Sequence, residues 1–278
     1  MHLSYFINLV VSFYNLTVKT MPKFSDFINE TITKAGKTLK DGFGSTLKID
    51  KKLNKNDLVT EFDYKSEEII INNIKKAFPS HSIISEEDGL NDNSSEFKWI
   101  IDPLDGTVNF ANNIPIFSVS IALTKDNEII QGAVYNPIID ELFFAEKDNG
   151  TTLNNKKITV SDKSDFQTSL LVTGFPYNVN EKPELSLNSF NKIVSRGIPV
   201  RRLGSAALDL AYVACGRFEG FWEVNLKSWD VAAGILLVNE AGGICTNYDS
   251  KKSEVNDGNI VATNNKIHKE LLDIINEN

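Results

Sequence analysis

Residues 99–110 read WIIDPLDGTVNF, with Asp102 and Asp105 three positions apart around Pro103 and Leu104. Two carboxylates held by a stiff turn suit a hard divalent cation. Mg2+ prefers oxygen ligands and usually binds through a few carboxylates together with substrate phosphate oxygens. The carbonyl of Leu104 stands between the two acids as a further candidate ligand. Gly106 and Thr107 then offer backbone N–H groups and a hydroxyl to a phosphate at an expected helix start. A plainer account covers the same residues: an apolar strand ends, Asp-Pro opens a turn, and Asp-Gly completes it.

Partners elsewhere in the chain decide between these accounts. Asp57 and Asp63 flank Thr60 just ahead of an expected helix, Glu86, Glu87 and Asp88 follow an apolar strand, and Asp230 enters a helix behind Trp229. Taken singly, the aspartates suit helix caps and the glutamates a solvated loop. Taken together with Asp102 and Asp105, they could supply a two-metal site that activates water, polarises a phosphoryl group and stabilises a leaving oxygen.

The rest of the composition narrows the chemistry. His2, His81 and His268 are scattered outside any motif, which argues against a Ser-His-Asp or Cys-His mechanism. Cys215 and Cys245 form neither a CxxC zinc motif nor a disulfide framework, and fit a reducing, cytoplasmic setting. With 29 basic and 37 acidic residues the net charge is −8, and no basic stripe with interleaved aromatics is present. Direct nucleic-acid binding, including a nuclease, therefore has little support. An acidic protein acting on an anion needs cations to bridge the two. The 278 residues suffice for one large domain without disulfides. Residues 1–20 are apolar but interrupted by Ser4, Asn8, Ser12 and Asn15. They read as a loose extension or a start site that truly lies at Met21, and no stretch reads as a membrane span.

The elements that must position these acids follow from periodicity. Phe24, Phe27, Ile28, Ile32, Ala35 and Leu39 predict a helix over 24–40 with Gly42 as its stop. A second helix is expected over 64–78, ended by Pro79. Short apolar runs at 82–85, 97–101, 117–123, 129–135 and 142–145 predict a meandering sheet. From residue 169 onward strands and helices alternate, with helices over 183–195, from 205 to 216, over 229–240 and over 266–275. Two intimate α+β halves of one domain, residues 21–278, fit better than independent domains.

WIIDPLDGTVNF resembles the signature of the inositol monophosphatase family, Mg2+-dependent and typically lithium-sensitive phosphatases. Four further segments occur in that family's order: DLVTEFD, SEED, RRLGSAALDLAYVACGRFEGFWE and WDVAAGILLVNEAGG. The resemblance implies an α+β fold, a layered α-β-α-β-α sandwich, usually assembled as a homodimer. It implies two or three Mg2+ ions held by Glu86, Asp102, the Leu104 carbonyl, Asp105 and Asp230. Thr107, hydrogen-bonded to Asp63, would orient and deprotonate the attacking water, with Glu86 also serving catalysis through a weaker third ion. Gly106 and Thr107 would hold the phosphate. Gly204, Ser205, Ala206, Glu223 and Asp230 would bind the alcohol, Glu223 accepting hydrogen bonds from ring hydroxyls, and residues 173–177 resemble a pocket segment. Lys52 matches a lysine near the metals, whereas Arg201 and Arg202 have no assigned role. The implied activity is hydrolysis of myo-inositol monophosphate. Alternatives are fructose 1,6-bisphosphate, histidinol phosphate, NADP or nucleotide 3′-phosphates, or a regulatory association with RNA polymerase, as in some bacterial relatives.

Overall fold

The structure, a computed structural model, describes residues 22–51 and 58–277; residues 1–20, Lys52 and Asp57 lie outside them. The chain begins with α1 (Phe24–Gly42), β1 (Ile49–Lys51), β2 (Leu58–Thr60) and α2 (Glu61–Ala77). Next come β3 (Ser82–Ser85), β4 (Gly89–Asn91), β5 (Phe97–Asp105) and α3 (Thr107–Ala111). The strands β6 (Ser118–Lys125), β7 (Glu128–Asn136), β8 (Glu141–Glu146), β9 (Gly150–Leu153) and β10 (Lys156–Ile158) follow one another. The remainder alternates: β11 (Leu171–Thr173), α4 (Glu184–Val194), β12 (Val200–Arg201), α5 (Ala206–Ala214), β13 (Gly220–Val224) and α6 (Ser228–Glu240). It closes with β14 (Ile244–Thr246), β15 (Asn259–Thr263) and α7 (His268–Asn276).

An eight-stranded sheet of order β10-β9-β8-β7-β6-β5-β3-β4 carries the expected meander, and a five-stranded sheet has order β12-β11-β13-β15-β14. The helices α1 and α2 cover one face of the large sheet, α5 and α6 fill the space between the sheets, and α4 and α7 cover the outer face of the small one. This is the α-β-α-β-α sandwich implied by the resemblance.

Strand β5 shows why the layers form. Trp99 and Ile101 pack toward α1 and α2, where Ile28, Ile32, Ala35 and Leu39 present one stripe, while Ile100 packs toward α5 and α6. A strand covered on both faces reads as a continuous apolar run. Alternation also puts Asp102, the next even position, on the α5/α6 side.

Both described histidines are structural. The His81 ring is stacked between Phe78 and Phe97, with centroids at 4.9 and 4.8 Å, and its Nδ1 accepts from Trp99 Nε1 at 3.0 Å. His268 is buried between the hydroxyls of Thr246 and Thr263, each 3.0 Å from a ring nitrogen. Burial holds its imidazole down at about 4. As pH falls below the ordinary 6.5, the unfolded chain takes up a proton that the folded one refuses, so stability is lost between about pH 6.5 and 4. The loss from this residue is on the order of 2–3 kcal/mol. His268→Gln should flatten that limb of the Tm-against-pH curve relative to the unsubstituted protein. Parallel curves would show that His268 does not carry the acid sensitivity.

Candidate active site

The Asp102–Asp105 stretch is a β-bulge rather than a turn. The sequence suggests a strand ending at Ile101, but β5 continues to Asp105, with Asp102 opposite Ser120 and Asp105 opposite Ser118. Three residue steps on β5 are thus matched by two on β6. In a regular strand, residues three apart point to opposite faces; one inserted residue returns the second to the face of the first. Pro103 fits because a bulge has an unpaired position that does not need its missing N–H. Leu104 points back into the α1/α2 core, and both aspartates face α5 and α6.

Hydrogen bonds from surrounding elements fix the bulge. Ser66 Oγ of α2 donates to the Pro103 carbonyl at 2.7 Å, and Leu104 N donates to Asp102 Oδ1 at 3.0 Å. Asp105 Oδ2 accepts from Ala207 N at 2.9 Å and from Ser205 Oγ, so the start of α5 is pinned to the end of β5. Gly106 then turns the chain with φ +92°, where a side chain is strained, and a Cβ there would lie 3.0 Å from the Ile116 carbonyl oxygen. Asn109 Nδ2 donates to the Leu203 and Ile116 carbonyls at 2.8 and 2.7 Å, drawing the loop before α5 against α3.

Thr107 opens α3 and its Oγ1 lies 3.0 Å from both Asp63 Oδ1 and the Leu104 carbonyl. Asp63 is also the acidic half of a capping box: its Oδ2 accepts from Thr60 N and Oγ1 at 2.7 and 2.6 Å. The cap account and the catalytic account therefore apply to different oxygens of one carboxylate. Asp230 is likewise dual, its Oδ2 accepting from Lys227 N at 2.7 Å at the head of α6.

Of the residues the resemblance assigns to the site, all but Asp63 line one cavity of about 670 Å3: Glu86, Asp102, Leu104, Asp105, Gly106, Thr107, Gly204, Ser205, Ala206, Glu223 and Asp230, whereas Glu87 and Asp88 do not border it. Asp63 stands behind Thr107. Phe175, Pro176 and Tyr177 of the suspected pocket segment also line it. Of the two unassigned arginines, Arg202 borders the cavity and sits over the Phe175 ring at 5.7 Å, and Arg201 does not border it. Gly174 has to lack a side chain, since a Cβ would fall 2.1 Å from Glu223 Oε2.

The electrostatics are those of buried like charges. Burial first, then Glu86, Asp105 and Asp230, raises the Asp102 carboxyl well above the ordinary range. Burial raises Asp105 and Asp63 to about 6, and burial with Asp230 and Asp105 nearby raises Glu223 to about 8. Asp230 is pushed well above the ordinary range chiefly by burial, against the pull of the Lys227 backbone. A divalent cation would reverse this local field and hold the acids ionised.

The donor set fits such an ion: all ligands are oxygen, and the second oxygens of Asp102 and Asp230 have no hydrogen-bond partner among the described residues. Among those residues no group of three or more His, Cys, Asp or Glu side chains is gathered tightly enough to hold an ion alone.

One acid escaped the sequence reading. Asp209 on α5 lines the cavity, is 1% exposed, and has no hydrogen-bond partner for either oxygen among the described residues. Burial, reinforced by Glu223 and Asp105, pushes its carboxyl well up. The available signal was a single acid in an otherwise apolar helix, AALDLAYVA, because a helix apolar all round is buried all round.

The chain is similar to known proteins along most of its length. A family model described as the inositol monophosphatase family matches residues 21–278. The inositol-1-monophosphatase of Synechocystis sp. is 43% identical over 247 residues, 88% of this chain and 86% of that protein. The Nus factor SuhB of Pasteurella multocida is 43% identical over 221 residues, 79% of this chain and 83% of that one. The solved extragenic suppressor protein suhB of Bartonella henselae superposes with a TM-score of 0.86 at 38% identity, covering 91% of this chain and 98% of its own. The chain belongs to the inositol monophosphatase family.

Proposed function

We propose that this protein is a Mg2+-dependent phosphomonoesterase that hydrolyses myo-inositol monophosphate or a close polyol phosphate by direct attack of water. The observation that carries the reading is the β5 bulge, which sets Asp102 and Asp105 on one face beside the Thr107–Asp63 pair. Glu86, Asp102, the Leu104 carbonyl, Asp105 and Asp230 would hold the ions. When bound, Mg2+ supplies Lewis-acid activation of water and neutralises charge on the phosphoryl and leaving oxygens.

The chain's own groups do the rest. Thr107 Oγ1 directs its proton to Asp63 Oδ1, so its lone pairs can accept a hydrogen from the attacking water and fix its approach. Asp63, raised to about 6, can receive the relayed proton near neutrality. The backbone of Gly106 and Thr107 binds the phosphate, and Gly204, Ser205 and Ala206 flank the alcohol. Glu223 accepts hydrogen bonds from its hydroxyls, with Asp230 at the same wall. No protein nucleophile or histidine is required.

Phosphate release under Mg2+ from inositol 1-phosphate, fructose 1,6-bisphosphate, histidinol phosphate, NADP and a nucleotide 3′-phosphate tests the reading. A preference for inositol 1-phosphate of at least about tenfold in kcat/KM, roughly 1.4 kcal/mol, is expected; a faster rate on another of these esters would overturn the substrate assignment. Glu223→Ala should raise KM for inositol 1-phosphate more than for an aryl phosphate. Equal effects on the two would remove Glu223 from the substrate contacts.

A homodimer in the cytoplasm, with residues 21–278 as one catalytic domain, completes the proposal. Among the described residues no helix is long and apolar enough to cross a membrane. A second reading, association with the transcription machinery, is favoured by the relative that bears the name Nus factor. Capture of RNA polymerase by the Asp102→Asn protein as strongly as by the unsubstituted one would establish binding independent of catalysis; capture by neither would dismiss it.

A further inference from the structure

Glu86, Glu87 and Asp88 form the three-residue turn between β3 and β4, closed by the Ser85–Gly89 pair. Of these three acids Glu86 alone borders the carboxylate-lined cavity. The backbone of the other two is held from α2: Glu87 N and Asp88 N donate to Glu67 Oε1 at 3.2 and 3.1 Å. Amides in the middle of a tight turn lie outside the strand ladder, so an acceptor from another element decides where the turn sits. Glu67 is buried, and bonds to a carboxylate are stronger than bonds to a neutral oxygen.

Glu67 completes a row on α2. Asp63, Ser66 and Glu67 stand at spacings of three and four, which places them on one helical face, and all three are buried. Each holds a different part of the site. Asp63 accepts from Thr107, Ser66 holds the Pro103 carbonyl inside the bulge, and Glu67 holds the turn that carries Glu86. Three separate segments of the site are thereby tied to one helix, anchored in the core by Ile70 and Ile74.

Stability alone does not account for a carboxylate at this position. Burial pushes it up and the Asp88 charge adds to the push, while the Ser85 side chain and the two turn amides pull it down. An apolar side chain of the same length would escape both costs, because buried charge is tolerated only where its hydrogen bonds are needed. What the carboxylate contributes is a turn fixed in place.

We propose that Glu67 is a positioning residue for the divalent-ion site: it clamps the turn, fixes where Glu86 stands relative to the Asp102–Asp105 bulge, and so sets the affinity for the ion. Glu86 acts here as a metal ligand, the role it has in the phosphatase reading above, on which the proposal rests.

Calorimetric titration of the metal-free protein with Mn2+, standing in for Mg2+, measures this affinity without turnover. Glu67→Met keeps the length and removes the acceptor, and should raise the Kd at least about tenfold, the lower end of what losing the partner of a metal ligand costs. Glu67→Asp keeps the charge but falls one methylene short of the amides, and should raise the Kd about fivefold. Glu67→Gln keeps an oxygen for both amides and should stay within about threefold of the unsubstituted protein. Half-saturating Mg2+ for phosphate release should follow the same order, with KM for inositol 1-phosphate at saturating Mg2+ changed less than about twofold. Methionine and aspartate variants that bind Mn2+ like the unsubstituted protein would overturn the proposal, whatever their Tm, since Glu67 would then serve the fold alone. Equal weakening in the glutamine and methionine variants would also overturn it, because the charge and not the clamp would be acting. Failure of the unsubstituted protein to bind Mn2+ would instead refute the metal site and the phosphatase reading with it.

Discussion

Asp102→Asn is expected to lower kcat for inositol 1-phosphate by at least about a thousandfold, equivalent to roughly 4 kcal/mol of barrier, without unfolding the protein. Asp102 is 1% exposed and surrounded by Glu86, Asp105 and Asp230, all of which act against its ionisation. A neutral amide of the same shape relieves that repulsion, and its Oδ1 can still accept from Leu104 N. The Tm of the metal-free protein should therefore hold or rise, while the charge that a Mg2+ ion would meet is lost. Phosphate release and thermal melting on one preparation separate these effects. Activity close to that of the unsubstituted protein would refute the placement of Asp102 at the centre of the ion site.

Thr107→Ala should lower kcat by about 100- to 10,000-fold, the range of a lost proton-transfer group, with KM little changed. The hydroxyl sits between Asp63 Oδ1 and the Leu104 carbonyl, so removing it breaks the link from Asp63 to the cavity. Thr107→Ser keeps the oxygen and should restore most of the rate, whereas Thr107→Val keeps the shape and should not. A valine variant as active as the serine variant would mean that residue 107 contributes packing alone.

Much of this arrangement is legible in the residues because it rests on periodicities that few alternatives share. The spacing of Ile28, Ile32, Ala35 and Leu39 gives α1 its buried stripe, and apolar runs such as residues 99–101 mark the sheet. What the sequence conceals is cooperative. Asp-Pro-Leu-Asp reads as a turn, because local propensity cannot reveal that β6 skips one residue opposite it. Gly42 reads as a helix stop and is the last residue of α1; what stays hidden is that a Cβ there would fall 2.1 Å from the Phe62 ring of α2. The strand Asn259–Thr263 is not anticipated from the sequence, although it lies between β13 and β14 in the small sheet. In the site, the acids can be picked out by their positions at the ends of elements. The burial of Asp209 depends on contacts between segments far apart in sequence.

Anomalous scattering from Mn2+, standing in for Mg2+, in crystals grown with inorganic phosphate locates the ions directly. A peak coordinated by both Asp102 and Asp105 is expected, with phosphate oxygens and Glu86 or Asp230 completing the shell. Peaks confined to other surfaces, with phosphate bound away from Gly106 and Thr107, would contradict it.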